Sequence, residues 1–263
     1  MTTTSPLITQ WLDWLTASGL APSTRNLRRV HLEKFARRVE LEQAAETDVI
    51  AALAAMAHQR PESRRSFLAS LRNFYRWAAA RDLVPADPTA KLPPIRVPQG
   101  LPRPIPESAL RAAFATADRE TRLALALGAY AGLRISEIAA VHARDVTPFG
   151  LIVTGKGGKQ RRIPIHPALA PYLADLTGWA FPNPRSSTGH MGTWYVRARF
   201  ERVLPPPYTP HSLRHRFATA AYRGTHDLRA VQTLLGHTKP ETTARYTLMN
   251  DDALIAAVAA IAA

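Results

Sequence analysis

Ala131-Gly-Leu-Arg-Ile-Ser-Glu137 is the stretch on which the fold turns. Before it, the run from Arg119 to Ala131 reads as a helix, with a second one over Glu107 to Ala117. Gly132 is placed to close the run with a left-handed residue, which glycine adopts without steric cost. Arg134 follows just beyond, and Glu137 lies three residues on, so a helix restarting there puts both on one face. The carboxylate could then hold the guanidinium. On spacing alone a surface ion pair, worth little, explains the pair as well.

Outward toward the C-terminus, Leu151-Ile-Val-Thr154 and Arg161-Arg-Ile-Pro-Ile165 bracket Gly155-Lys-Gly-Gly-Lys-Gln160, which predicts a hairpin with glycines at its turn. Pro210-His-Ser-Leu-Arg-His215 sets His211 and Arg214 three apart on a helical turn. An imidazole and a guanidinium side by side repel unless an anion joins them, and phosphate is the obvious anion. Two unrelated surface residues would show the same spacing. Leu234-Leu-Gly-His237 and Glu241-Thr-Thr-Ala-Arg-Tyr246 then place a histidine and a tyrosine nine residues apart. The chain has 7 tyrosines, and a lone one is ordinarily an amphipathic core residue.

Outward toward the N-terminus, eight prolines from Pro85 to Pro106 mark an extended linker, since proline is barred from helix interiors. The segment before it predicts four helices. Ser5-Pro6 opens the first and Gly19 ends it; Ser23 caps the second; Thr47-Asp48 opens the third, through Met56; Pro61 opens the fourth. Phe67, Leu68, Leu71, Phe74, Tyr75 and Ala78 recur there at helical spacing and read as core. Arginines line the other faces, so Arg25, Arg28, Arg64, Arg65 and Arg72, with Lys159 and Arg161 of the hairpin, are candidate DNA contacts. The net charge of +14 is the footprint of a polyanion binder, or of an evenly basic surface. Residues 1–98 hold 14 basic and 9 acidic side chains and residues 99–263 hold 20 and 11, so both halves are basic. With no cysteine, thiol chemistry and zinc–thiolate sites are excluded. No signal peptide and no apolar run near 18 residues are seen, so a soluble protein is expected.

Taken together, the order Gly-Leu-Arg-x-Ser-Glu, hairpin Lys, His-x-Leu-Arg-His, Leu-Leu-Gly-His and Tyr resembles the tyrosine recombinase (phage integrase) family. Leu71-Arg-Asn-Phe-Tyr-Arg-Trp77, Arg216-Phe-Ala-Thr219 and Asp227 to His237 resemble its linking text, so the likeness runs from Leu7 to Met249. It implies a mainly α fold: an N-terminal helical core-binding (SAM-like) domain over 1–92, a proline-rich linker over 93–104, and a catalytic domain over 105–263. The last is mixed α/β, mostly helical, with a small antiparallel sheet and a C-terminal tail helix. The resemblance makes Arg134 and Arg214 the grip on the non-bridging oxygens of a scissile phosphate, and His237 a third donor. His211 exchanges a proton with Tyr246, Lys156 protonates the departing 5′-oxygen, and Tyr246 forms a 3′-phosphotyrosyl link. Glu137 supports the arginines without reacting. Lys159, three residues after Lys156, is the competing lysine.

No cofactor and no metal are implied. The partners implied are double-stranded DNA at core-type attachment sites and a homotetramer in the synaptic complex, with a monomer or dimer off DNA. A directionality factor is an optional further partner. No membrane is involved, and the expected location is the cytoplasm of a bacterial host, with the nucleoid. Helical text beginning by Leu7 suggests a two-domain enzyme without an arm-binding domain. Leu254, Ile255, Val258 and Ile261 share one side of a tail helix that would dock on a neighbouring subunit, or pack on its own. An integrase of a phage or mobile element is the first expectation. A Xer-type resolvase, a transposon recombinase, a type IB topoisomerase-like enzyme and a silent DNA binder are the alternatives.

Overall fold

The computed structural model describes residues 5–98, 100 and 102–236, with Lys156 described by its backbone alone. The chain divides into two compact units, Met1–Gln99 and Gly100–Ala263.

The first unit holds helices α1 (Pro6–Ala17), α2 (Pro22–Ala36), α3 (Glu46–Ala54) and α4 (Pro61–Ala79). A proline opens three of them, α1, α2 and α4, at the position where its missing N–H would have had no partner anyway. This moves the start of α2 to Pro22, with Ala21 as its cap, and leaves Ser23 inside the helix. In α3 the cap works in reverse, because Asp48 accepts a hydrogen bond from the Ala45 N–H at 2.8 Å. The apolar positions read from α4 are all buried: Phe67, Leu68, Leu71, Phe74, Tyr75 and Ala78. Trp11 of α1 meets Phe74 edge-on, with ring centroids 5.4 Å apart. On α2 the core stripe is narrower than the apolar residues suggest. Leu32 and Phe35 are buried, whereas Leu27 and Val30 stay exposed.

The second unit is organised around α6 (Arg119–Ala131), which follows α5 (Glu107–Thr116). Asp118 caps α6 by accepting from the Thr121 N–H at 2.8 Å, and Gly132 ends it at φ 63°. Leu123 through Leu127, Ala129 and Ala131 are all buried, so α6 is apolar on almost every side and runs through the middle of its unit. Then come α7 (Ile135–Ala139) and an antiparallel sheet of β1 (Val146–Thr147), β2 (Gly150–Thr154) and β3 (Gln160–Ile163), in that order. The sequence shows β2 and β3; the two-residue β1 is an addition. Val153 pairs with Arg161 and Leu151 with Ile163. The turn between β2 and β3 is one short 3-10 segment, Lys156–Gly158, in which Gly157 and Gly158 have φ of 75° and 74°.

Helices α8 (Ala170–Ala174), α9 (Thr193–Val203), α10 (Pro210–Thr225) and α11 (Leu228–Leu235) complete the described part of this unit. Helix α10 lies hard against α6. A Cβ on Gly128 would come within 2.9 Å of Leu213 Cδ1, and one on Gly132 within 2.3 Å of Phe217 Cδ1. Helix α11 starts at Asp227, which accepts from the N–H groups of Arg229 and Ala230, and stops at Gly236, φ 62°. Among the described residues no helix is long and apolar enough to cross a membrane.

Candidate active site

The backbone turn at Gly132 delivers Arg134 to the start of α7, where a capping arrangement fixes it. The Arg134 N–H donates to Glu137 Oε2 at 2.8 Å, and the Arg134 guanidinium to Glu137 Oε1 at 2.9 Å. The spacing of three therefore makes a pair, but not on the surface. The Glu137 side chain is 3% exposed, while that of Arg134 is 36% exposed.

Two more guanidinium groups converge on the same carboxylate. Arg161 of β3, 8% exposed, forks it with Nη1 to Oε1 at 2.9 Å and Nη2 to Oε2 at 2.8 Å. Arg161 Nε donates to the Leu234 carbonyl at 2.8 Å. Arg214 of α10, 3% exposed, stands 3.8 Å from Glu137 Oε2 and donates to the carbonyls of Gly132 at 2.5 Å and Leu235 at 2.6 Å. Burial by itself pushes the Glu137 carboxyl up. The hydrogen bonds from Arg161 and Arg134, and their charges, outweigh it and hold the carboxyl below the usual carboxylate range. Among the described residues, three guanidinium groups converge on the one Glu137 carboxylate. Arg134 is the member of the knot that reaches solvent, and a guanidinium held in one orientation there suits an anion that takes two of its donors.

His211 sits on the first turn of α10 with its side chain exposed, whereas Arg214, one turn on, faces inward. The His211 ring lies 5.2 Å from that of His215. Gly155, just before Lys156, borders the knot, since a Cβ there would stand 3.6 Å from Glu137 Oε1. His237, Tyr246 and the tail from Asn250 lie outside the described residues. The structure thus brings together Arg134, Glu137 and Arg214 and places the Lys156 backbone beside them.

The candidate DNA contacts divide. Arg65 and Lys159 are exposed. Arg25 hydrogen-bonds Thr16. Burial lowers the pKa of Arg28 from its usual value. Among the described residues, Arg25 Nε, Arg28 Nη1 and Arg64 Nε are buried without a hydrogen-bond partner. One reading needs correction. Arg161 is no surface contact, because its whole guanidinium is engaged by Glu137 and Leu234. Arg72 turns back onto its own unit, donating to the Leu92 carbonyl. The inward aim of Arg161 was available from strand alternation. Positions 161 and 163 share a face, and Ile163 is plainly a core residue.

Residues 105–252 match the phage integrase family. The tyrosine recombinase XerC of Bradyrhizobium diazoefficiens is 32% identical over 94% of this chain and 90% of its own length. The tyrosine recombinase XerD of Pseudomonas aeruginosa is 31% identical over 92% of each. In fold, the chain resembles a λ integrase dimer bound to a COC′ core site, with a TM-score of 0.74 at 18% identity. That likeness covers 90% of this chain and 95% of that one. A λ integrase tetramer bound to a Holliday junction gives 0.74 at 18% identity, over 91% of this chain and 79% of that one. A carboxylate-braced arginine site in a mostly helical unit, in a chain with such relatives, defines an enzyme that breaks and rejoins DNA. The chain belongs to the phage integrase family of tyrosine recombinases and acts in site-specific DNA recombination.

Proposed function

We propose that this recombinase cuts each strand by attack of Tyr246 on a scissile phosphate held by Arg134 and Arg214, leaving a 3′-phosphotyrosyl link. The observation that supports it is the Glu137 knot, which holds Arg134 at its exposed edge with Arg214 behind. Two fixed guanidinium groups suit a pentavalent phosphorane, whose equatorial oxygens gain charge as the bond forms. His211 exchanges the proton of the Tyr246 phenol, which is too weak an acid at neutral pH to attack unaided. Lys156 supplies a proton to the leaving 5′-oxygen, and His237 donates to a non-bridging oxygen. The reverse attack by a 5′-hydroxyl from a second duplex reseals the strand.

The substrate is double-stranded DNA at core-type sites, worked on by four copies of the chain in the cytoplasm. In the N-terminal unit the exposed Arg65 supports a backbone phosphate contact. The role is integration and excision of a mobile element. A Xer-type resolvase is the second reading, favoured by the names of the relatives that match most of the chain.

Covalent trapping tests the chemistry. Nicked duplexes from the DNA flanking this gene are expected to give a protein–DNA adduct on a denaturing gel, in EDTA, that Tyr246→Phe abolishes. An adduct that survives Tyr246→Phe assigns the nucleophile elsewhere and overturns the proposal.

A further inference from the structure

We infer that Arg161 is a positioning residue for strand cleavage: from the hairpin it holds Glu137, and through it Arg134, in register with the end of α11. This rests on the recombinase reading above and adds to it a residue that touches no substrate.

Three observations carry the inference. The strand pattern aims Arg161 inward, opposite the buried Val153 and on the face of the buried Ile163. Its contacts then join segments far apart in the chain: Nη1 and Nη2 fork the two Glu137 oxygens, 24 residues away, and Nε reaches the Leu234 carbonyl, 73 residues away. Finally, the glycines just before two proposed catalytic residues both border its side chain. A Cβ on Gly155, before Lys156, would stand 3.7 Å from Arg161 Nη1, and one on Gly236, before His237, 3.0 Å from Arg161 Cδ.

The planar fork is what makes this possible. A guanidinium donates two parallel bonds along one edge and a third from Nε, whereas an ammonium is a point charge on a flexible stem. Lysine at this position keeps the charge of the knot and loses its geometry. Arg161→Lys therefore separates positioning from electrostatics.

The experiment compares wild type and Arg161→Lys in the nicked-duplex assay, with DNA affinity by gel shift and melting temperature measured on the same preparations. Misplacement of a reacting group by about an ångström costs on the order of 100-fold in rate. Adduct formation, measured well below the variant's melting temperature, is expected to slow about 100-fold with affinity within about twofold, while the bonds that lysine cannot remake lower the melting temperature itself. A second substrate carries a methylphosphonate at the scissile position. That group lacks the anionic oxygen that Arg134 meets, so the loss caused by Arg161→Lys is expected to shrink about tenfold or more. A wild-type rate in the variant overturns the inference. So does a loss of affinity in step with the rate, or a rate restored to the wild-type value by further cooling below the variant's melting temperature, either of which makes Arg161 a fold element, and so does an equal defect on both substrates. If wild type itself gives no adduct, the Tyr246 reading falls first and takes this inference with it. That outcome is distinct from a defect confined to the variant.

Discussion

The unit ending at Gln99 fills its centre with Trp11, Phe35, Phe67, Phe74, Tyr75 and Trp77, whereas the second unit uses the leucines and alanines of α6 and then buries a carboxylate among guanidinium groups. The two interiors treat polar atoms differently. Trp11 Nε1, Tyr75 Oη and Trp77 Nε1 are buried with no hydrogen-bond partner among the described residues. In the knot, both Glu137 oxygens accept two bonds each, from Arg134 and Arg161. Ring packing is non-directional, so a unit held by it withstands a few unmet polar atoms if the shapes fit. A charged knot has no such latitude, because each unmet charge in a low-dielectric site is costly. What the second unit gains is orientation: its buried bonds fix where a guanidinium points, which a ring cluster cannot do.

The sharpest way to break this comparison is to damage each interior once. Phe74→Ala opens a cavity and is expected to cost about 3–5 kcal/mol. Glu137→Gln takes from the buried Arg161 the carboxylate that it forks and is expected to cost a similar ~3–5 kcal/mol. Denaturant melts measure both, and the adduct assay separates them. At temperatures where each variant is still folded, Glu137→Gln loses cleavage while Phe74→Ala keeps most of it. Equal cleavage by the two would remove the distinction drawn here.

Acid sharpens the contrast by a smaller amount. Burial, with Lys34 nearby, holds the His31 imidazole below its usual value in the N-terminal unit, where it contacts Ser70 at 2.9 Å. The unfolded histidine takes up its proton near pH ~6.5 and the folded one only lower. The folded state is therefore favoured fully above about 6.5 and loses ground as pH falls through the folded value. Glu137 is also depressed, but from about 4.3, so its contribution is intact above that pH and fades below it. His31→Gln is expected to flatten the pH dependence of stability just below 6.5, and Glu137→Gln the part below 4.3. Melts across pH 3 to 8 decide it; the same slope change from both would contradict the assignment.

The smallest effect tests the tolerance of the rings. Burial, with Glu42, Asp48 and Asp87 nearby, pushes the Tyr75 phenol well above its usual value, so it stays a neutral hydroxyl without a partner. Tyr75→Phe removes an unmet polar group and is expected to be neutral or to stabilise by ~1 kcal/mol. A fall of several degrees in melting temperature would show that the hydroxyl is bonded after all.

How much of this could be read beforehand depended on range. Pro61, Gly132 and the glycines at 155, 157 and 158 act through their own backbone, so α4, the end of α6 and the hairpin turn were legible. The start of α2 was misread because Pro22 outcompetes Ser23 for the first turn. A strand as short as β1 leaves no periodicity to detect. At the site, the spacing of Arg134 and Glu137 was visible, but its burial was not. That burial is set by Arg161 and Arg214, 24 and 77 residues beyond Glu137. A prior that arginines in a basic hairpin face DNA hid the alternation that turns Arg161 inward.

The two glycines of α6 have a consequence for how the site can move. Gly128 and Gly132 are one helical turn apart, and each seats a side chain of α10, Leu213 and Phe217, that is also one turn apart. The seam therefore works like a pair of detents. Sliding α10 along α6 lifts both side chains from their seats at once. Arg214 rides on α10 and donates to the carbonyl of Gly132 itself. Its place beside the turn that carries Arg134 is therefore fixed by the same seam that packs the two helices.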